Sequence, residues 1–212
     1  MSEIKLSDIE ALRERIRSHI SGKRYSHTLA VEKEIVRLCE IFSLSEQDTL
    51  SMQAAALLHD ITKEKSTDEQ IEILISHQAR VGDIDRLSPK TLHARTAELV
   101  AIDEYPELAT PEILSAIRRH TTGHAEMTLF DAVIYLADYI DMSRKFDDCV
   151  RLREYFWGKE PQRMNEADRE KHLWETVLLS LDMTLKALTD EGAIISVDSV
   201  EARNAIICRL KK

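Results

Sequence analysis

A chain of 212 residues with 43% hydrophobic content, 5 glycines and 4 prolines can build one large core and is short for two. Its 38 acidic against 29 basic residues leave a formal charge of −9, which excludes a broad basic face for coating nucleic acid; a phosphate ligand would need a local basic pocket. Cys39, Cys149 and Cys208 are few and far apart, as in a reduced cytoplasmic protein, and neither an apolar leader nor the roughly 18 apolar residues of a membrane span is present, so one cytoplasmic domain over 1–212 without membrane attachment is expected. Apolar residues recur at helical spacing almost throughout. Ser7 and Glu10 predict a capping box opening a first helix to about His19, with Gly22 as its stop. Ser26 then precedes a second helix with His27 at its very beginning. Ser45 and Asp48 open a third, whose apolar run ends at His59-Asp60. Thr67 predicts a short helix to about Ala79, and Gly82 a loop beyond it. Ser88-Pro89 and Thr110-Pro111 each set a capping residue before a proline at the first helical position, starting the helices that carry His93 and His120. Thr121-Thr122-Gly123 closes the latter, and Thr128 with Asp131 opens a helix leading to Asp138. Residues 157–165 predict an exposed insertion, 166–189 a long amphipathic helix ended by Gly192, and Asp198 with Glu201 a last helix. The expected architecture is an all-α bundle.

Within that bundle the pair His59-Asp60 carries the most chemical information. A strongly apolar run should end in a cap or a charged rim, yet AAALLHDITK ends in an imidazole and a carboxylate, both ligands for divalent ions. His27, His93, His120 and Asp138 likewise end or interrupt apolar stretches on separate segments. Donors so dispersed cannot form a linear zinc-finger motif, but they suit the inward lining of a bundle that holds two metals. Adjacent residues on a helix diverge by about 100°, so Asp60 is the natural bridge, with His27, His59 and Asp138 on one ion and His93 and His120 on the other. Two such ions roughly 3.5–4 Å apart acidify a bridging water to hydroxide and hold a phosphate in line, which is phosphoester or phosphoanhydride hydrolysis. Lys63, three residues after Asp60, would stand on the same side if the helix continued and contact a phosphate oxygen. Arg24, Arg95 and Arg144 flank ligand segments and are candidates for the same task, against the ordinary reading of surface or ion-paired arginines. His19, His77 and His172 read as surface or core histidines and His124 as a loop residue.

The blocks RYxH, AALLHDxxK, HA, AIxxHTTG and MTLxxxxIYLADYI followed by Arg144, spanning 24–146, resemble the HD-domain superfamily and within it the YqeK-like group. The ending ALTDEGAIISVDSVEARNAII is also similar, so residues 147–212 would be C-terminal helices of the same domain. The resemblance implies symmetrical diadenosine tetraphosphate hydrolysis to two ADP at a diiron centre. It implies metal binding by His27, His59, Asp60, His93, His120 and Asp138, with nucleotide and phosphate contacts near Lys63 and Arg144. Asp141-Met142-Ser143-Arg144 departs from the acidic residue and proline more usual there, and 157–172 looks longer than in relatives, which bears on the nucleoside pocket and any homodimer contact. Two alternatives stay open: an HD-type nucleotidase or phosphodiesterase for another nucleotide, and a nucleotide-sensing module with little turnover.

Overall fold

In the computed structural model, which describes residues 3–212, the elements follow from where the apolar side chains fall. Helix α1 (Leu6–Arg15) runs into a 3-10 turn (Ile16–Ser18) and is followed by α2 (Gly22–Ile41), α3 (Glu46–Leu58) and α4 (Thr67–Ser76). The short α5 (Asp83–Leu87) and a 3-10 turn (Pro89–Thr91) lead into α6 (Leu92–Glu104), α7 (Pro111–Arg119) and α8 (Leu129–Ile140). Helices α9 (Asp147–Gly158), α10 (Glu166–Asp190) and α11 (Val197–Leu210) complete the chain. Among the described residues there is no strand, and no helix is long and apolar enough to cross a membrane.

The last turns of α3 and most of α8 are apolar all round, and such helical segments must be surrounded. Residues 54–58 and 132–137 are accordingly sealed from solvent. Around α3 pack α1, α2, α7 and α8, while α8 also touches α9 and α10. The C-terminal ends of these two central helices therefore lie inside the protein.

Several helix starts follow the local chemistry read above. Ser45 accepts from Asp48 N at 3.0 Å, Thr110 from Ile113 N at 3.2 Å, and Thr128 from Asp131 N at 3.2 Å. Others are corrected. Lys5, not Ser7, precedes α1, and its amide donates to Asp8 Oδ2 at 2.8 Å. Gly22 is the first residue of α2 rather than a stop, because Ser21 is the cap; Ser26 lies a turn inside the helix and donates to the Gly22 carbonyl at 2.9 Å, so His27 is well within α2. Ser66 caps α4 in place of Thr67, while Gly82 lies in the loop as expected, immediately before the short α5. Residues 157–165 are exposed over most of their length, as expected, but are tied to the bundle: Trp157 Nε1 donates to Glu34 at 2.7 Å, Pro161 is buried, and Arg169 donates to the Pro161 carbonyl at 2.9 Å.

Gly123 closes the turn after α7 at φ +68°, a conformation costly for side-chain-bearing residues. A Cβ there would sit 3.0 Å from Ala202 Cβ on α11 and 3.1 Å from Met127 Sδ. Gly123→Ala is expected to destabilise the fold by about 1–3 kcal/mol, lowering Tm by roughly 2–4 °C per kcal/mol. An unchanged thermal melt would refute this account of the turn.

Candidate metal centre

The C-terminal end of α3 delivers the first two donors. His59 caps the helix, and the chain continues in tight turns in which Ile61 N bonds Leu58 O at 3.2 Å, Lys63 N bonds Asp60 O at 3.0 Å and Lys65 N bonds Thr62 O at 3.1 Å. Because each of these bonds spans three residues, as in a 3-10 turn, Lys63 follows Asp60 on the same side although the α-helix has stopped. Helix α2 contributes His27, α6 His93, the end of α7 His120, and α8 Asp138. All six are at most 9% exposed. The bundle thus brings every sequence-predicted ligand into one neighbourhood.

The Asp60 carboxylate divides that neighbourhood in two. Its Oδ2 lies 3.6 Å from His59 Nε2 and 3.8 Å from His27 Nε2, while its Oδ1 lies 3.3 Å from His93 Nε2 and 3.7 Å from His120 Nε2. Asp138 Oδ1 joins the first side, 3.0 Å from His27 Nε2 and 3.8 Å from His59 Nε2. Donor atoms of His27, His59 and Asp138 lie within 4.8 Å of one another, as do those of His59, Asp60 and His120. His59 belongs to both sets and stands between them, where the sequence reading gave it to one ion alone.

The rings are oriented to present lone pairs. His59, His93 and His120 each direct Nδ1 at the carbonyl three residues back, on Ala56 at 2.6 Å, Lys90 at 2.9 Å and Ile117 at 2.7 Å. Those carbonyls accept hydrogen bonds only, which assigns the proton to Nδ1 and leaves Nε2 as the donor facing inward. His59 Nε2 is buried with no hydrogen-bond partner, and the Nε2 atoms of His93 and His120 face each other at 3.0 Å. Opposed lone pairs repel unless a cation or a proton donor stands close to both. This donor chemistry fits divalent metal, with three imidazole nitrogens already held in the liganding tautomer.

Two further residues belong to this centre and were missed from sequence. Thr121 Oγ1 lies 3.0 Å from His93 Nε2 and 2.9 Å from His120 Nε2. Asp141 is fully buried with Oδ2 3.5 Å from His27 Nδ1, and Ser143 Oγ lies 2.9 Å from the same nitrogen and hydrogen-bonds Asp141. The available signal for Asp141 was an acidic residue just beyond an apolar helix that already supplies Asp138.

Charge balance follows from burial. Burial alone would raise the Asp60 and Asp138 carboxyls, but the surrounding histidines, and for Asp138 first of all Arg144, hold both well below the usual carboxylate range. Arg24 Nη1 lies 2.7 Å from Asp60 Oδ2 and Arg144 Nη2 2.5 Å from Asp138 Oδ1. Burial pushes His93 down, reinforced by His120 and Lys63. His27 goes the other way: burial lowers it, but hydrogen bonds to Asp138 and Asp141 prevail and raise it to about 9. Below that pH its ring keeps a proton that a metal must displace. In protein stripped by a chelator, metal affinity is therefore expected to rise by about tenfold per pH unit from neutrality toward 9, with proton release on binding. A pH-independent affinity over this window, measured by titration calorimetry, would contradict it.

The flanking bases divide. Lys63 Nζ reaches within 3.0 and 3.1 Å of the His93 ring nitrogens and lines a cavity of about 350 Å³ with Thr67, Gln70, Pro89, Lys90 and His93. Burial lowers its pKa, with Asp60 acting against that. Arg95 sits two residues after His93 and so on another side of α6, where it pairs with Asp85 at 2.6 Å and donates to the Arg80 carbonyl at 2.7 Å. His124 lies in the loop after α7, its Nδ1 accepting from Glu126 N at 3.1 Å, outside the donor cluster.

The HD domain family model matches residues 24–143, the stretch that holds all six donors. A symmetrical bis(5'-nucleosyl)-tetraphosphatase of Halalkalibacterium halodurans is 30% identical over 138 residues, 65% of this chain and 71% of that protein. The Staphylococcus aureus protein of that name is 27% identical over 180 residues, covering 84% and 89%. Among solved structures, a Clostridium acetobutylicum protein described as an HD superfamily hydrolase involved in NAD metabolism superposes with a TM-score of 0.79 at 28% identity, covering 94% of this chain and 97% of that one.

Proposed function

The chain belongs to the HD-domain superfamily, related by homology to its symmetrical bis(5'-nucleosyl)-tetraphosphatases, and from that membership we propose that it splits diadenosine tetraphosphate into two molecules of ADP. It is a metal-dependent hydrolase acting on a phosphoanhydride bond. The observation that carries the reading is the division of Asp60, one oxygen toward His27 and His59 and the other toward His93 and His120. In this assignment His27, His59 and Asp138 would hold one cation and His93 and His120 the other, with Asp60 facing both and His59 standing between the two donor sets.

When bound, the paired ions, which we take to be iron, supply an acidified water and neutralise charge on the phosphate. The chain's own residues do the rest. Buried carbonyls and Asp141 fix the rings, so that the donors need not reorganise during turnover. Lys63 at the cleft wall donates to a phosphate oxygen and offsets the charge that develops on displacement. Arg24 and Arg144, next to the two ligand carboxylates, are placed to meet further phosphate oxygens. Arg95 is committed to Asp85 and is left out of this set. One water adds across the central P–O–P link; its oxygen joins one phosphorus and the bridging oxygen leaves with the other half.

The fold shared with a protein described by NAD metabolism favours a second reading, in which the anhydride of another dinucleotide is cut. Product analysis separates the two. Metal-loaded protein given diadenosine tetraphosphate should yield ADP alone, with NAD untouched; ATP with AMP, or cleavage of NAD only, would overturn the proposal.

A further inference from the structure

Resting on the reading that a nucleotide polyphosphate occupies the metal cleft, we propose that a second cavity, between α8, α9 and α10, holds a nucleoside end of the substrate. This cavity of about 360 Å³ is walled by Tyr139, Phe146, Leu152, Met183 and Leu188, with Asp148 and Glu191 also lining it. Lys90 lines it too, and Lys90 is equally a wall of the 350 Å³ cleft that contains Lys63 and His93. The two spaces thus meet at one cationic side chain. Both are of the size of small-molecule sites, roughly 300–1,000 Å³.

The sequence of chemistries along this path matches a nucleotide laid end to end. At the metal side stand the donor histidines and Lys63. Arg144 pairs with Asp138 at the metal side, and its guanidinium lies 5.9 Å from the centre of the ring of Tyr139, a wall of the second cavity. Beyond it the wall turns aromatic and aliphatic. Phe146, two residues after Arg144, is 72% exposed and is one of the walls of this cavity, so its ring is free to meet a flat partner. A nucleobase offers that flat apolar face, with amino groups and ribose hydroxyls as donors for the Asp148 and Glu191 carboxylates. Lys90 at the junction would sit beside the polyphosphate.

The test uses metal-loaded full-length protein and two probes, ADP and inorganic pyrophosphate. Wild-type protein should bind ADP more tightly than pyrophosphate. Ala187→Trp, which fills the cavity from α10, should weaken ADP by about tenfold or more and leave pyrophosphate within about twofold. Phe146→Ala, at an exposed side chain that the fold does not need, should weaken ADP by about fivefold in the same selective way. Circular dichroism and metal content verify that each variant is folded and loaded, and Phe146→Ala decides the matter should Ala187→Trp misfold. Unchanged ADP binding, or equal losses for both probes, overturns the proposal. So does a variant that changes from dimer to monomer with ADP affinity intact, because the patch would then be an interface between copies. Binding of ADP against pyrophosphate reads the cavity alone, whereas cleavage of diadenosine tetraphosphate reads the activity, so either can fail without the other.

Discussion

Replacing Asp60 with alanine is expected to reduce kcat/KM by at least about 10³-fold and to lower the metal content of the purified protein, while the helical circular dichroism signal persists. The reason is geometric. Asp60 is the one side chain whose two oxygens face both histidine groups, at 3.3 to 3.8 Å from four Nε2 atoms. Its removal leaves His27, His59, His93 and His120 without a shared anion, and Arg24 without its partner at 2.7 Å. The fold should survive, since α3 is held by residues 54–58 against α1, α2, α7 and α8, none of which depends on the carboxylate. Asp60→Asn keeps the volume and one oxygen but only as a neutral ligand, so it should retain more metal than Asp60→Ala while remaining catalytically poor. Activity within tenfold of wild type in the alanine variant would show that this carboxylate does not join the two donor groups.

The second large effect is expected at Lys63. Lys63→Ala should lower kcat by about 10²–10³-fold, the scale seen when one preorganised donor to a developing charge is removed. Metal should stay bound, because Lys63 offers no lone pair while protonated and the six donors are intact. Its Nζ sits at the cleft wall within 3.1 Å of His93, so an ammonium is held close to the centre without coordinating. Lys63→Arg should recover part of the rate, since it restores the charge with different reach. Loss of metal equal to that of Asp60→Ala would instead make Lys63 a structural support for His93.

Much of this centre was legible because its donors interrupt apolar runs, and apolar runs must be buried. Once residues 54–58 and 132–137 are read as interior helix, His59, Asp60 and Asp138 can only lie inside. The position of Asp60 between the two histidine groups also follows from helical divergence. Thr121 and Asp141 were not found, since each acts through a tertiary neighbour: Thr121 through two rings from different helices, Asp141 through His27 more than a hundred residues away. The start of α2 was misplaced because Ser21 and Ser26 are both plausible caps, and only the backbone shows which one accepts an amide. Helix α9 falls within the stretch expected to form C-terminal helices, but its bounds are not legible in the sequence, because just Cys149, Leu152 and Phe156 are buried on a strongly charged segment. Arg95 flanks a ligand in sequence, but two helical positions turned it toward Asp85.

The most direct measurement is the number of divalent ions per chain, by elemental analysis of protein loaded under anaerobic conditions and freed of excess metal. Two ions per wild-type chain, falling to one or none in Asp60→Ala, is the result that follows from a carboxylate shared between two histidine groups. A single ion in wild type, undiminished in the variant, would contradict it.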